Sequence, residues 1–121
     1  MRVRRAMKTK PLARLEKVDL SDVNKNGLRR YIPEPIRRAI RKQSGFGCVI
    51  CGMAICQYDH VEPEFVDAEM HDPKDMTFLC GSCHDKKTRG LLSIQMIREA
   101  MDNPICLSKG YTRDAFDVGR E

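Results

Sequence analysis

Four cysteines, Cys48, Cys51, Cys80 and Cys83, fall in two Cys-x-x-Cys pairs with 28 residues between them. Each pair can present two thiolates from a single turn. Two such turns brought together complete the closed tetrahedral sulfur site that zinc prefers, whereas the competing reading is four free or disulfide-bonded thiols. A closed site keeps no open coordination position, so its zinc would be structural and any catalysis must lie elsewhere. Asp59 and His60 are adjacent in sequence, and His84 directly follows Cys83. If the two cysteine turns are tied together, one carboxylate and two imidazoles come into the same neighbourhood, a candidate site for a second metal ion. Taken singly, an Asp-His dipeptide can arise by chance, and a His near a helix start often serves as a cap or donates a hydrogen bond to a zinc ligand. Cys56 and Cys106 lack a Cys-x-x-Cys partner and read as small buried residues.

The elements that must position these residues can be read from periodicity and breakers. A helix is expected from about Pro33 to Gln43, with Pro in its first turn and Ile36, Ala39, Ile40 and Gln43 on one face. Arg37, Arg38, Arg41 and Lys42 take the other side. Gly45 and Gly47 end that helix, and Cys48-Val-Ile-Cys51-Gly52 forms a tight turn. A strand is expected over Ile55–Val61, then an acidic loop in which His71 is exposed, then a second strand over Met76–Leu79. Cys80 to Gly90 reads as the second cysteine turn running into a short helix capped by Gly90. A last amphipathic helix should start at Ser93, carry Ile94, Ile97, Ala100 and Met101 on its buried face with Met96 also in the core, and stop at Asn103-Pro104. Residues 105 to 121 show no clear pattern. Asn24-Lys-Asn-Gly27 marks a turn in an otherwise polar, basic start that Leu12, Leu15, Val18 and Leu20 could anchor.

The 121 residues carry 22 Lys+Arg against 17 Asp+Glu, and the division along the chain matters more than the net +5. Residues 1–47 hold 14 basic and 4 acidic side chains, a net +10, leaving −5 for the remainder. At 41% hydrophobic and 6% aromatic with no Trp, the chain has little material for a large core, so a metal staple would supply folding free energy. No stretch approaches the roughly 20 apolar residues of a membrane span. The basic start lacks the apolar run of a secretory signal, so a cytoplasmic location with reduced thiols is expected.

The sequence Cys48-x-x-Cys51, Tyr58-Asp59-His60-Val61-Glu62-Pro63, then Asp75-Met-Thr-Phe-Leu-Cys80-x-x-Cys83-His84-x-Lys86-Lys87 resembles the zinc-stapled branch of the HNH endonucleases. The resemblance covers roughly residues 45–92 and implies an α+β fold, a small ββα-metal module with flanking helices. It implies that His60 is the general base, that Asp59 and His84 hold a catalytic divalent ion, and that cleavage leaves a 5′-phosphate and a 3′-hydroxyl. Magnesium is the expected catalytic ion, with manganese, nickel or zinc admitted by the His ligand. The middle motif position, usually Asn in the family, is Asp75 here. An amide donates a hydrogen bond where an ionised carboxylate only accepts, so Asp75 is expected to bind backbone amides of the His60 loop or to add negative charge near the metal.

Three segments follow: a basic N-terminal arm and helix over 1–44, the nuclease core over 45–92, and a C-terminal helix with a tail or linker over 93–121. The arm residues Arg2, Arg4, Arg5, Lys8 and Lys10, together with Arg37, Arg38, Arg41, Lys42, Lys86 and Lys87, are candidates for nucleic-acid contact, which they would make through phosphates in a salt-sensitive way. Solvated charge is the competing reading of the same residues. Double-stranded DNA is the substrate the resemblance implies, RNA the alternative within the same fold. A different class is a non-catalytic, zinc-finger-like module that binds nucleic acid or protein. No sensing domain is recognisable, so regulation is expected from a partner, an oligomer or a C-terminal portion beyond Glu121.

Overall fold

A computed structural model describes residues 22–114; the arm residues Arg2 to Lys10 and the anchors Leu12, Leu15, Val18 and Leu20 lie outside it. Within it the elements run α1 (Glu34–Ser44), β1 (Cys56–His60), β2 (Met76–Cys80), α2 (Gly81–Thr88), α3 (Ile94–Asp102) and α4 (Ile105–Lys109). Single 3-10 turns at Phe65–Asp67 and Pro73–Asp75 shape the loop between the strands. The result is a small mixed helix-and-strand domain.

The sheet has two strands. β1 and β2 pair antiparallel, with Cys56 opposite Cys80 and His60 opposite Met76. An isolated two-stranded ribbon is marginal in water, and β2 gains its stability from being buried along its whole length. Its side chains alternate between two clusters, as a period of two requires. Met76 and Phe78 pack with Ile40 of α1, while Leu79 packs with Val49, Val61, Leu92 and Ile97 of α3. Helices therefore cover both faces of the ribbon.

The helix boundaries follow local chemistry. α1 has Pro33 at its N-cap and Glu34 in its first turn, and its C-terminal carbonyls are closed by Gly45 in the left-handed region. The Cys80 sulfur accepts from the Cys83 amide at the start of α2, and Ser93 accepts from Met96 at the start of α3. α3 buries Ile97 with Ile94, Ala100 and Met101 at its side; Met96, expected in the core, is 54% exposed because it lies off that stripe. Asn24 to Gly27 form the expected turn, with the Gly27 amide donating to the Asn24 carbonyl at 3.0 Å.

The C-terminal stretch differs most from expectation. α4 is too short to reveal a helical period, yet it buries Cys106 against the Gly52 carbonyl. Beyond it the chain returns to the first cysteine turn, where Arg113 pairs with Met53 and exchanges backbone hydrogen bonds with Gly52 and Ala54. The approach is close: a Cβ on Gly47 would lie 2.6 Å from the Cys106 sulfur and 2.8 Å from a Thr112 methyl, so only glycine fits there. Among the described residues no helix is long and apolar enough to cross a membrane.

Candidate metal centre and groove

Cys48, Cys51, Cys80 and Cys83 come together with all four sulfurs within 4.8 Å of one another. The first pair sits on a turn closed by the Gly52 amide donating to the Cys48 carbonyl at 2.9 Å, with Gly52 at φ +85°, a conformation glycine adopts without strain. The second pair spans the end of β2 and the first turn of α2. All six cysteines are free thiols, so the four are placed as a cluster able to hold a metal ion such as zinc. Burial and the neighbouring thiols push Cys51 up to about 11 and Cys83 higher still. Burial also pushes Cys80 up, but hydrogen bonds from the Cys83 amide and the adjacent thiols leave it below the usual thiol value. A cation is thus needed to draw the remaining protons off, which ties metal binding to proton release and to folding. Cys56 and Cys106 stand outside the cluster; burial pushes Cys56 up to about 12, and its thiol donates to the Met53 carbonyl at 3.0 Å.

Asp59, His60 and His84 line one open groove of about 540 Å³, with Arg30, Tyr58, Phe65 and Lys87 also on its walls. Adjacent strand residues point to opposite faces, but β1 ends at His60, so the two side chains bracket the mouth of the groove. Asp59 turns toward α2. Its Oδ1 is 3.4 Å from His84 Nε2, and its Oδ2 is 3.1 Å from Lys87 Nζ. Oδ2 is buried, and its contact with the ammonium is an ion pair. Burial raises the Asp59 pKa, and the Lys87 charge works against that rise. A carboxylate whose Oδ1 lies 3.4 Å from an imidazole nitrogen is a donor pair that suits a hard divalent cation.

His60 turns the other way. Its Nε2 is 2.9 Å from Nδ1 of His71, whose own Nε2 is 2.8 Å from the Arg29 carbonyl oxygen. Burial, with help from His71, holds the His60 pKa down at about 4, so the ring is neutral at pH 7. Phe65 packs on both imidazoles, with centroids 5.6 Å from His60 and 6.5 Å from His71, and the Arg30 guanidinium covers its ring at 4.5 Å. His71 is therefore not the exposed loop residue its acidic surroundings suggest; it is 8% exposed because the turn before α1 closes over it. Nothing in the sequence signals this, since His71 lies 42 residues from its carbonyl partner.

Of the two expectations for Asp75, the first is not met: its carboxylate makes no hydrogen bond to a backbone amide of the His60 loop among the described residues. Its main-chain carbonyl, not its carboxylate, accepts the Val61 amide at 2.9 Å, while its side chain lies 3.6 Å from Arg98 of α3. The same guanidinium reaches the Glu62 carbonyl at 3.1 Å, so Arg98 ties both ends of the inter-strand loop to α3. The negative charge of Asp75 opposes the fall in the His60 pKa.

The basic candidates divide. Arg37 pairs with Glu34 at 3.1 Å and lies over the Tyr31 ring, and Arg41 pairs with Glu34 at 2.6 Å and donates to the Tyr58 hydroxyl at 2.7 Å. These two guanidiniums are held by partners within the fold, with side chains 34% and 28% exposed. Lys87, 11% exposed in its side chain, is committed to Asp59 and to the His60 carbonyl. Arg38, Lys42 and Lys86 are exposed. Comparison with protein-family models, with curated proteins and with solved structures found no match to the chain.

Proposed function

We propose that the chain is a metal-dependent endonuclease of the HNH kind that hydrolyses phosphodiester bonds, with double-stranded DNA as the substrate. One observation carries the reading. The buried Asp59 carboxylate, with Oδ1 3.4 Å from His84 and Oδ2 ion-paired to Lys87, lines the same groove as a neutral His60. Two antiparallel strands followed directly by a helix, with the four-cysteine cluster at their junction, support the strand-strand-helix arrangement that the motif resemblance implies.

Zinc would sit on Cys48, Cys51, Cys80 and Cys83 as a staple. Asp59 and His84 would hold the catalytic divalent ion, magnesium foremost, which when bound supplies positive charge against the phosphate. His60 does the proton chemistry: neutral at pH 7, it has a lone pair with which to take a proton from the attacking water. The Lys87 charge works against the rise that burial causes in the Asp59 pKa and so favours the ionised carboxylate that a cation needs. Exposed Arg38, Lys42 and Lys86 supply the sequence-independent attraction for the phosphate backbone. The preference for DNA over RNA rests on the family resemblance alone.

The test is cleavage of plasmid DNA and of a structured RNA with magnesium, manganese or chelator, comparing the intact chain with His60→Ala at equal zinc content. Cutting of DNA by the intact chain with added metal, lost in the variant, is the expected result. If neither cuts while both bind nucleic acid in a salt-dependent way, the chain is a binding module instead.

A further inference from the structure

Beside His60 lies a third imidazole, that of His71, which the motif does not account for and which does not itself line the groove. A carbonyl oxygen can only accept a hydrogen bond, so the 2.8 Å contact between His71 Nε2 and the Arg29 carbonyl places a proton on that nitrogen. In a neutral imidazole the other nitrogen is then an acceptor. His71 Nδ1, 2.9 Å from His60 Nε2, must take its hydrogen from His60. That leaves His60 protonated on Nε2 and bare on Nδ1. Nδ1 makes no hydrogen bond among the described residues, and His60 lines the groove.

We propose that His71 is a positioning residue: the Arg29 carbonyl fixes its tautomer, and through it His60 is locked with Nδ1 free to accept a proton. The inference rests on the reading of His60 as the base. The structure around the relay is built to hold it. Asn24 donates from its side chain to the Phe65 and Ala68 carbonyls at 2.6 and 2.7 Å, and Asn26 donates to Asp67 at 3.0 Å. These bonds dock the turn that carries Arg29 onto the loop that carries Phe65 and His71. Phe65 then packs on both rings, and its near-parallel stacking on His71, 11° between planes, limits rotation of that imidazole. The end of the basic N-terminal segment thus closes over the groove from behind.

A His60 freed from this relay would distribute between tautomers and ring orientations and would no longer hold Nδ1 as its acceptor nitrogen. Hydrogen-bond partners of this kind typically matter by about 10- to 100-fold in activity when removed.

The experiment is nitrogen-15 NMR of the histidine rings in the zinc-loaded chain at about pH 8, where ordinary imidazoles are neutral, together with cleavage rates for wild type, His71→Leu, His71→Gln and Asn24→Ala. His60 is expected as the Nε2–H tautomer in the wild type and as a mixture in His71→Leu, with a loss of about 10- to 100-fold in cleavage rate at unchanged zinc content. His71→Gln, which can still accept from His60, should recover part of both. An Nδ1–H tautomer in the wild type, or an unchanged tautomer in His71→Leu and Asn24→Ala alike, overturns the proposal. Because the NMR readout needs no cleavage, an inactive wild type with the expected tautomer would remove the nuclease reading and leave the relay standing.

Discussion

Removing the Lys87 charge should turn Asp59 from a compensated into an uncompensated buried ion. The ammonium lies 3.1 Å from Asp59 Oδ2, with side chains 11% and 6% exposed. At an effective dielectric of about 20, unit charges at that distance attract by about 5 kcal/mol. Part of this is offset by the desolvation of both groups, and breaking such a pair from one side typically costs about 3 to 5 kcal/mol. Lys87→Met, which keeps the aliphatic stem, should therefore lose about 3 kcal/mol in urea unfolding at pH 7.5 and matched zinc content. Asp59→Asn should lose less, and the double variant should recover most of the Lys87→Met defect, giving a coupling of about 2 kcal/mol or more in a double-mutant cycle. The sign of the pH dependence follows from the raised Asp59 pKa: a protonated carboxyl needs no counter-charge, so the defect should shrink as pH falls toward 5 and grow as pH rises. Magnesium should stabilise Lys87→Met more than wild type, because a cation at Asp59 supplies the missing charge. A coupling below about 0.5 kcal/mol, the size of an exposed surface pair, would refute the idea that Lys87 is the counter-ion of a buried Asp59.

Two further outcomes are expected. Cys83→Ser, or chelation of a zinc-loaded sample, should unfold the chain in circular dichroism rather than merely inactivate it, because the cysteine cluster joins β2, α2 and the turn before β1 and a structural zinc supplies several kcal/mol to a core this small; a chelated chain with an unchanged spectrum would argue against a zinc staple. His60 is held at about 4 in the folded chain against 6.5 unfolded, so its contribution is fully present above pH 6.5 and is lost as pH falls toward 4. Allowing for water in the open groove, that loss amounts to about 1 to 2 kcal/mol, and unfolding curves of His60→Gln should lack it over the same interval.

Much of the architecture is legible in the residue order. The spacing of the cysteine pairs, the short strand expected over Met76–Leu79 and the one-sided helix expected from about Pro33 to Gln43 are local patterns, and a local pattern states which residues must be buried before the burying partner is known. Asp59, His60 and His84 could be nominated together because each is adjacent in sequence to a cysteine turn or to the strand joining them. Short elements without a period stayed hidden: α4 is five residues long, and its burial depends on Gly47, nearly sixty residues earlier, having no side chain.

The roles of individual charges were decided only by the tertiary structure. The sequence by itself determined that a four-cysteine cluster could form and that a carboxylate and two imidazoles would lie near it. It could not distinguish Lys87, buried against Asp59, from Lys86, exposed one residue away, or Arg41, bonded to Tyr58, from open Arg38. Nor could it distinguish His71, buried between His60 and the Arg29 carbonyl, from a solvated loop histidine. The physical reason is that a side chain's charge, tautomer and reach are set by what lies within about 4 Å of it, and for these residues that neighbour is supplied by a segment 11 to 42 residues away.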